Sequence, residues 1–302
     1  MIFSGEQKGI IYVLASGLCY GLIGYFGISI MQENLSAYNM LFWRFLVSTL
    51  VMFGFSFLQM REKYFLQKNF SQLTKIFFYS ALFHGTSSAF YFMSSARIGS
   101  GLAMILFFIY PLIVVILNRI FFQTKISKYY FFSISAIFIG IILLADLQHF
   151  SMDLFGIFLG ILAAIFFGLY VFAVQKSSIP PITLAFTVSL GCCFASGIFA
   201  LIDGSFLVPQ NIKPVFNIIA MGVISTALPI LFFLRGLNYI NSTKASLLGV
   251  CEPLAVLFFG WLLLAEKISS MQLIGSAIIL LGGAIALIEK NQKGSSTTNE
   301  AA

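Results

Sequence analysis

The feature that most constrains this chain is a succession of long, uncharged apolar runs separated by short polar segments. Ten runs are read, at 9–31, 39–59, 73–94, 98–122, 128–146, 154–175, 182–203, 214–235, 243–264 and 270–288. Most approach the roughly 20 residues that a helix needs to cross a hydrocarbon core. Inside hydrocarbon every backbone N–H and C=O must be paired internally, which leaves helices or a closed barrel. Barrel strands alternate apolar and polar residues over about ten positions, and unbroken stretches such as Phe-Gly-Trp-Leu-Leu-Leu-Ala at 259–265 do not. The expected fold is therefore an all-α integral membrane protein of ten transmembrane helices.

Composition removes the soluble alternative. Only 9% of the 302 residues are charged and 60% are hydrophobic, whereas a soluble domain carries about 25% charged residues. A water-facing surface cannot be built from so few ionic groups. The net charge of +7 does not point to nucleic acid, because the basic residues form short clusters between apolar runs. With the N-terminus inside, only Arg97, Lys213 and Lys267 of the 17 Lys and Arg fall outside, and Arg44 lies within a run. That bias predicts both termini in the cytoplasm. Trp43 and Trp261 then lie near the outer interface, where amphipathic rings concentrate. Cys19, Cys192, Cys193 and Cys251 all fall in apolar runs without CxxC spacing, so they read as small hydrophobes rather than metal ligands or disulfide partners. Neither a metal nor a cofactor is expected.

The chain also repeats itself. An offset of 142 carries Pro111 onto Pro253, Lys125-Ile126-Ser127 onto Lys267-Ile268-Ser269, and Gly140 onto Gly282. An offset of 147 carries Gly9-Ile10 onto Gly156-Ile157 and Gly21-Leu22 onto Gly168-Leu169. The organisation expected is a cytoplasmic N-terminus (1–8), a first five-helix repeat (9–146), a second (154–288) and a disordered cytoplasmic tail (289–302). An odd number of helices per unit means that the second copy enters the bilayer from the opposite side. Inverted repeats can exchange conformations about a shared midplane cavity, opening it to one side and then the other.

Residues 237–269, LNYINSTKASLLGVCEPLAVLFFGWLLLAEKIS, resemble the signature of the drug/metabolite transporter superfamily, and specifically its EamA-type members. Glu252-Pro253 followed by GWLLLAEKIS is the most specific part. The first-half counterpart at 96–127 is similar but diverged, with Tyr110 where the second half has Glu252. The resemblance covers residues 9–288 and implies a bacterial inner-membrane carrier of amino acids or related small metabolites, with both termini inside. Export is the direction it favours, import the alternative. The motifs are scaffold motifs and leave the substrate open.

Candidate site residues follow from polar groups placed deep in the runs. Glu252 is the one acidic residue near the middle of a span. An ionisable group there usually faces a cavity or a partner. Its carboxylate can bind a substrate ammonium or accept a proton as the coupling ion, or it can support the backbone freed by Pro253. Pro111 and Pro253, at equivalent points of two helices, predict kinks near the midplane that read as paired hinges or as static bends. His84, Ser88 and Tyr91 stand at i, i+4 and i+7 and form one polar stripe. A solute pathway needs such a stripe, although His84 reads more readily as a neutral, satisfied histidine. Arg44 can attract a substrate anion, but snorkelling to the outer interface is the favoured reading. Gly17, Gly21 and Gly24, with Gly156 and Gly160, form small-residue faces that let helices approach closely. Tyr20, Tyr25 and Tyr170 on the same two helices are candidate cavity walls, and Tyr110, the counterpart of Glu252, is a candidate for the same site.

No GxxxxGK[ST] phosphate loop is present, so ATP hydrolysis would need a partner protein. A membrane-embedded, lipid-modifying enzyme is the competing class. Its only candidate cluster is Asp146, His149 and Asp153 on an outer loop, which reads better as a solvated turn. A scaffold or channel subunit is the third class. The expected partners are a small solute, the lipid bilayer and a proton, with the chain acting as a monomer or homodimer.

Overall fold

The computed structural model describes residues 4–31, 35–58, 70–124, 127–145, 153–209 and 211–288. The expected disordered tail, the basic loop with Arg61, Lys63 and Lys68, and Asp146 and His149 lie outside the described residues. Among those described, the secondary structure is entirely helical. The helices are α1 (Gly5–Gly21), α2 (Ile23–Met31), α3 (Ala37–Leu58), α4 (Phe70–Tyr79), α5 (Thr86–Ile98), α6 (Ser100–Phe107), α7 (Tyr110–Phe122) and α8 (Lys128–Leu144). They continue with α9 (Leu154–Val174), α10 (Pro181–Ile202), α11 (Ile212–Gly222), α12 (Leu228–Leu237), α13 (Ser242–Leu248), α14 (Cys251–Leu264) and α15 (Ser270–Ile288). π-helical turns at Ser80–Gly85 and Val223–Ala227 join α4 to α5 and α11 to α12.

Several starts follow from ordinary capping chemistry. Ser4 and Gln7 form a capping box at α1, the Asp153 carboxylate accepts from the Phe155 and Gly156 amides at α9, and Asn241 accepts from the Lys244 amide at α13. Each satisfies amides that the first turn of a helix leaves unpaired.

Among the described residues eight helical runs are long and apolar enough to cross a membrane, which makes this a multi-pass membrane protein. Two of the ten expected spans fall outside that set. The run at 128–144 is apolar but has only 17 residues. The run at 70–98 carries His84, Thr86, Arg97 and five serines from Ser80 to Ser95, which lower its hydropathy.

The repeat offset reappears in the backbone. It carries the end of one π-helical turn, Gly85, onto the end of the other, Ala227. It also pairs Gln123 and Ala265, the two described non-glycine residues with positive φ, at 50° and 54°. They cap α7 and α14. Each expected proline kink is a full interruption. α6 stops at Phe107 and α7 resumes at Tyr110, with Pro111 in its first turn. α13 stops at Leu248 and α14 resumes at Cys251, with Pro253 in its first turn. Proline is well placed there, because first-turn amides have no intrahelical acceptor anyway.

The halves interleave. α1 packs on α12 and α14, whereas α9 packs on α5, α6 and α7. α3 packs on its own counterpart α10, and α8 on α15. Ser36 bonds Ser205 and Ser48 bonds Ser189, so α3 and α10 run antiparallel. α8 and α15 are also antiparallel, with Ser133 donating to the Gly282 carbonyl at 2.7 Å. There the backbones nearly touch: a Cβ on Gly140 would stand 2.7 Å from the Gly275 carbonyl oxygen, and one on Gly275 would stand 2.6 Å from that of Gly140. The glycine face of α1 has the packing role expected. A Cβ on Gly21 would come within 2.8 Å of Ala255 backbone, although Gly24 is only loosely approached.

Candidate functional site

The two interrupted helices bring their breaks together. Tyr110, first residue of α7, donates its hydroxyl to the Ser246 carbonyl at 3.2 Å. In an unbroken helix that carbonyl would take the Val250 amide. Val250 instead sits in the interruption between α13 and α14, and a phenol from the other repeat meets the carbonyl. Close approach requires glycine at 249, where a Cβ would lie 2.6 Å from the Tyr110 oxygen.

Beside this crossing is a narrow cavity with about 20 Å³ of room, enough for about one water molecule. Tyr20, Tyr110 and Ser16 line it from the first repeat, and Tyr170, Phe167, Phe233 and Glu252 from the second. Four of the residues expected at a solute site therefore meet: Glu252, Tyr20, Tyr110 and Tyr170. Among the described residues the Glu252 side chain has no hydrogen-bond partner; the carbonyl beside the break goes to Tyr110. The bland reading of Glu252 as support for freed backbone finds no bond to rest on.

Other expected residues lie elsewhere. Tyr25 packs beside Phe26 in a separate apolar cluster with Ile30, Met40 and Met221, because the break at Leu22 redirects the chain before it. Ser88 donates back to the His84 carbonyl at 3.1 Å. Tyr91 packs edge-on against Phe107. Neither lines the cavity.

His84 is buried directly behind a cavity wall, its ring 4.5 Å from that of Tyr170 and 5.4 Å from that of Phe167. The sequence reads it as satisfied, yet among the described residues its Nδ1 has no partner. Arg44 also departs from expectation. It does not snorkel: only 6% of it is exposed, its guanidinium lies 4.6 Å from the Phe45 ring, and among the described residues its Nε is enclosed without a partner. α3 is covered here by α10 and the second π-helical turn, which the depth of Arg44 along its own helix could not reveal.

Sequence reasoning passed over Ser16, Phe167 and Phe233 as cavity walls. The repeat itself held the signal, since an offset of 147 carries Tyr20 onto Phe167 and one of 142 carries Tyr91 onto Phe233. Asp153 and Arg97 form an ion pair at 2.9 Å; the Arg97 hydrogen bond, with the cap amides, holds the Asp153 carboxyl below its ordinary value. Together with the cap, this makes Asp153 a structural residue. Among the described residues no group of three or more His, Cys, Asp or Glu is placed to hold a metal.

Comparison with known proteins agrees with this architecture. The profile of the EamA-like transporter family matches residues 7–145 and again 154–288. A protein of Archaeoglobus fulgidus described as an uncharacterized transporter is 38% identical over 68 residues, which is 22% of this chain and 25% of that protein. The putative permease-like protein YdzE of Bacillus subtilis is 34% identical over 73 residues, 24% of this chain and 94% of that protein. The aligned stretch thus spans only a quarter of the archaeal relative. A solved crystal structure superposes with a TM-score of 0.78 at 13% identity, covering 93% of this chain and 96% of the other, a likeness of fold. With both of its halves matched in full, the chain belongs to the EamA-like transporter family.

Proposed function

We propose that this protein is a secondary or facilitative carrier of small metabolites, amino acids or related solutes, across the bacterial inner membrane. In this reading ten helices form two inverted five-helix repeats with both termini cytoplasmic. The shared cavity is exposed to one side and then the other, and net movement is export, the direction that the family resemblance implies. The inversion is supported by the antiparallel packing of counterpart helices, α3 on α10 and α8 on α15.

One observation carries the proposal. Glu252 stands at an interrupted helix, without a hydrogen-bond partner, in a cavity walled by tyrosines of both repeats. A carboxylate is expensive to hold at bilayer depth, and a transient ammonium or proton gives it a partner. The cavity's small volume fits a closed stage of the cycle, so the repeats must part for a solute to enter.

Counterflow in proteoliposomes tests the reading. Loading with mixed amino acids and amines should drive saturable uptake of a labelled member by the wild-type protein. Glu252→Gln should lower that rate by at least about tenfold, the scale of one lost charge-assisted hydrogen bond. Full activity in the Gln variant would remove Glu252 from the mechanism, and absence of counterflow with every solute would end the carrier proposal.

A further inference from the structure

Charge is spread unevenly between the two ends of the helix assembly. At the end where α1, α8 and α13 begin and α7 and α9 finish, Lys8, Lys75, Arg119, Lys128, Lys176 and Arg235 stand against one carboxylate among the described residues. That carboxylate, Glu6, already accepts from Lys244. At the opposite end Arg97, Lys213 and Lys267 are equalled in number by Asp153, Asp203 and Glu266. Beside a bilayer, each Lys or Arg near the surface strengthens attraction to anionic headgroups by roughly fivefold.

The last turn of α7 gives that attraction a place. Lys176, just past the end of α9, holds its ammonium 3.4 Å from the centre of the Phe122 ring, a cation–π contact. Phe122 stacks in turn on Phe172 of α9, with ring centroids 5.3 Å apart. One turn earlier on α7, Arg119 donates to the Thr124 carbonyl at 3.3 Å, which draws its guanidinium toward the same helix end. Both cations are exposed, and neither is paired with a carboxylate among the described residues. Each keeps N–H groups to spare for an oxyanion.

Toward the middle of the bundle α7 continues as an apolar stripe. Leu112, Ile116 and Ile120 stand at i, i+4 and i+8 and are 41%, 44% and 64% exposed. They share one side of the helix, and that side is open to the bilayer rather than covered by another helix. Two cations at a helix end therefore sit directly above a strip of lipid-facing side chains.

We infer that the end of α7 is a binding site for one anionic phospholipid. Its phosphate lies between the Arg119 guanidinium, which can meet two phosphate oxygens at once, and the Lys176 ammonium, which acts as a point charge. An acyl chain runs along Leu112, Ile116 and Ile120. The stripe is what commits the site to a lipid: a free phosphate would satisfy the cations and leave the apolar side chains unused. A zwitterionic headgroup brings its own ammonium to the two cations and is disfavoured. The site stands apart from the Glu252 cavity and does not depend on what the protein carries.

The test uses the full chain purified in detergent. Phosphatidylglycerol, phosphatidylcholine with the same acyl chains, and glycerol phosphate are titrated separately. Binding is read as the rise in melting temperature and as lipid retained in native mass spectra. Phosphatidylglycerol should bind about twentyfold more tightly than phosphatidylcholine, the scale of two basic residues at an anionic surface. Glycerol phosphate should give no stabilisation at the same concentrations. Arg119→Gln combined with Lys176→Gln should remove the preference for the anionic lipid. Lys8→Gln combined with Lys75→Gln takes the same charge from the same end and should leave the preference in place.

Equal binding of the two lipids by the wild-type protein overturns the inference, and that comparison needs no variant to fold. Stabilisation by glycerol phosphate as strong as that by phosphatidylglycerol would make this a site for free phosphate and overturn the lipid assignment. An equal loss of preference in both double variants would place the attraction in the charge of the whole end, and the site at α7 would fall.

Discussion

The two ends of the helix assembly are closed by different means. At the end where α1 and α13 begin, the Lys244 ammonium is fully buried and donates to the Glu6 carboxylate at 2.7 Å. Beside it lies a ring of side chains. Asn118 donates to Ser242 at 2.8 Å, Ser242 donates to Gln175, and Gln175 donates back to Asn118 at 3.0 Å. At the end where α9 begins, the corresponding ion pair is Arg97–Asp153 at the same kind of distance, 2.9 Å, but both side chains are substantially exposed. The offset of 147 carries Glu6 onto Asp153, so one duplicated, partly exposed carboxylate position pairs with a buried cation in one repeat and an exposed cation in the other. Exposed pairs contribute little because water screens them, whereas a buried pair is expensive to break. The contact at the first end is thus the more costly to break.

Four substitutions put that contrast at risk. The largest effect is expected from Glu6→Gln, which leaves the buried Lys244 ammonium without its carboxylate. A loss on the order of 2 kcal/mol follows from removing a carboxylate that a buried charge bonds, reduced for the partial exposure of Glu6. Lys244→Met should be much milder, since it removes the buried charge itself. Thermal unfolding in detergent measures both, and equal losses would contradict the asymmetry.

Asn118→Ala comes next, with about 1–2 kcal/mol lost through the broken ring. Faster hydrogen exchange over residues 242–248 should accompany it, because α13 is held there from α7 and from the end of α9. An unchanged exchange pattern would mean that the ring does not restrain α13.

The smallest effect belongs to Asp153→Asn, whose amide oxygen still caps α9, so at neutral pH the melting temperature should fall only slightly. The folded-state carboxyl is held below its ordinary value of 3.8. Its contribution is therefore complete above about pH 4 and is lost as pH falls through the lower folded value. Acid titration of stability should show that component in the wild-type protein and not in the Asn variant. A large loss at neutral pH would place the exposed pair on a par with the buried one.

Much of this architecture was legible from the chain. Apolar runs and scarce charge left little besides a helical membrane protein, and the offset of 142 anticipated counterpart bends at Pro111 and Pro253. Glu252, Tyr20, Tyr110 and Tyr170 were recognisable as polar groups at depth, and they share one cavity. What failed to show was whatever depends on a neighbour distant in sequence. Lys244 reads as an ordinary loop cation, yet it is paired with Glu6, 238 positions away. Arg44 reads as able to snorkel because its own helix does not disclose what covers it. His84 reads as satisfied because buried histidines usually are. The left-handed caps at Gln123 and Ala265 left no trace either, since neither residue type favours that conformation.

The two π-helical turns have a consequence for how such a chain can vary. A π turn accommodates one residue more than an α turn requires, and here Thr86 and Thr226 each donate a hydroxyl to the carbonyl five positions earlier. Loss of one residue within 80–85 or 223–227 would tighten the turn into regular α-helix and leave the ladder on both sides intact. This protein has two internal points, one in each repeat, where length can change and alter which side chains the following half-helix presents to the interior.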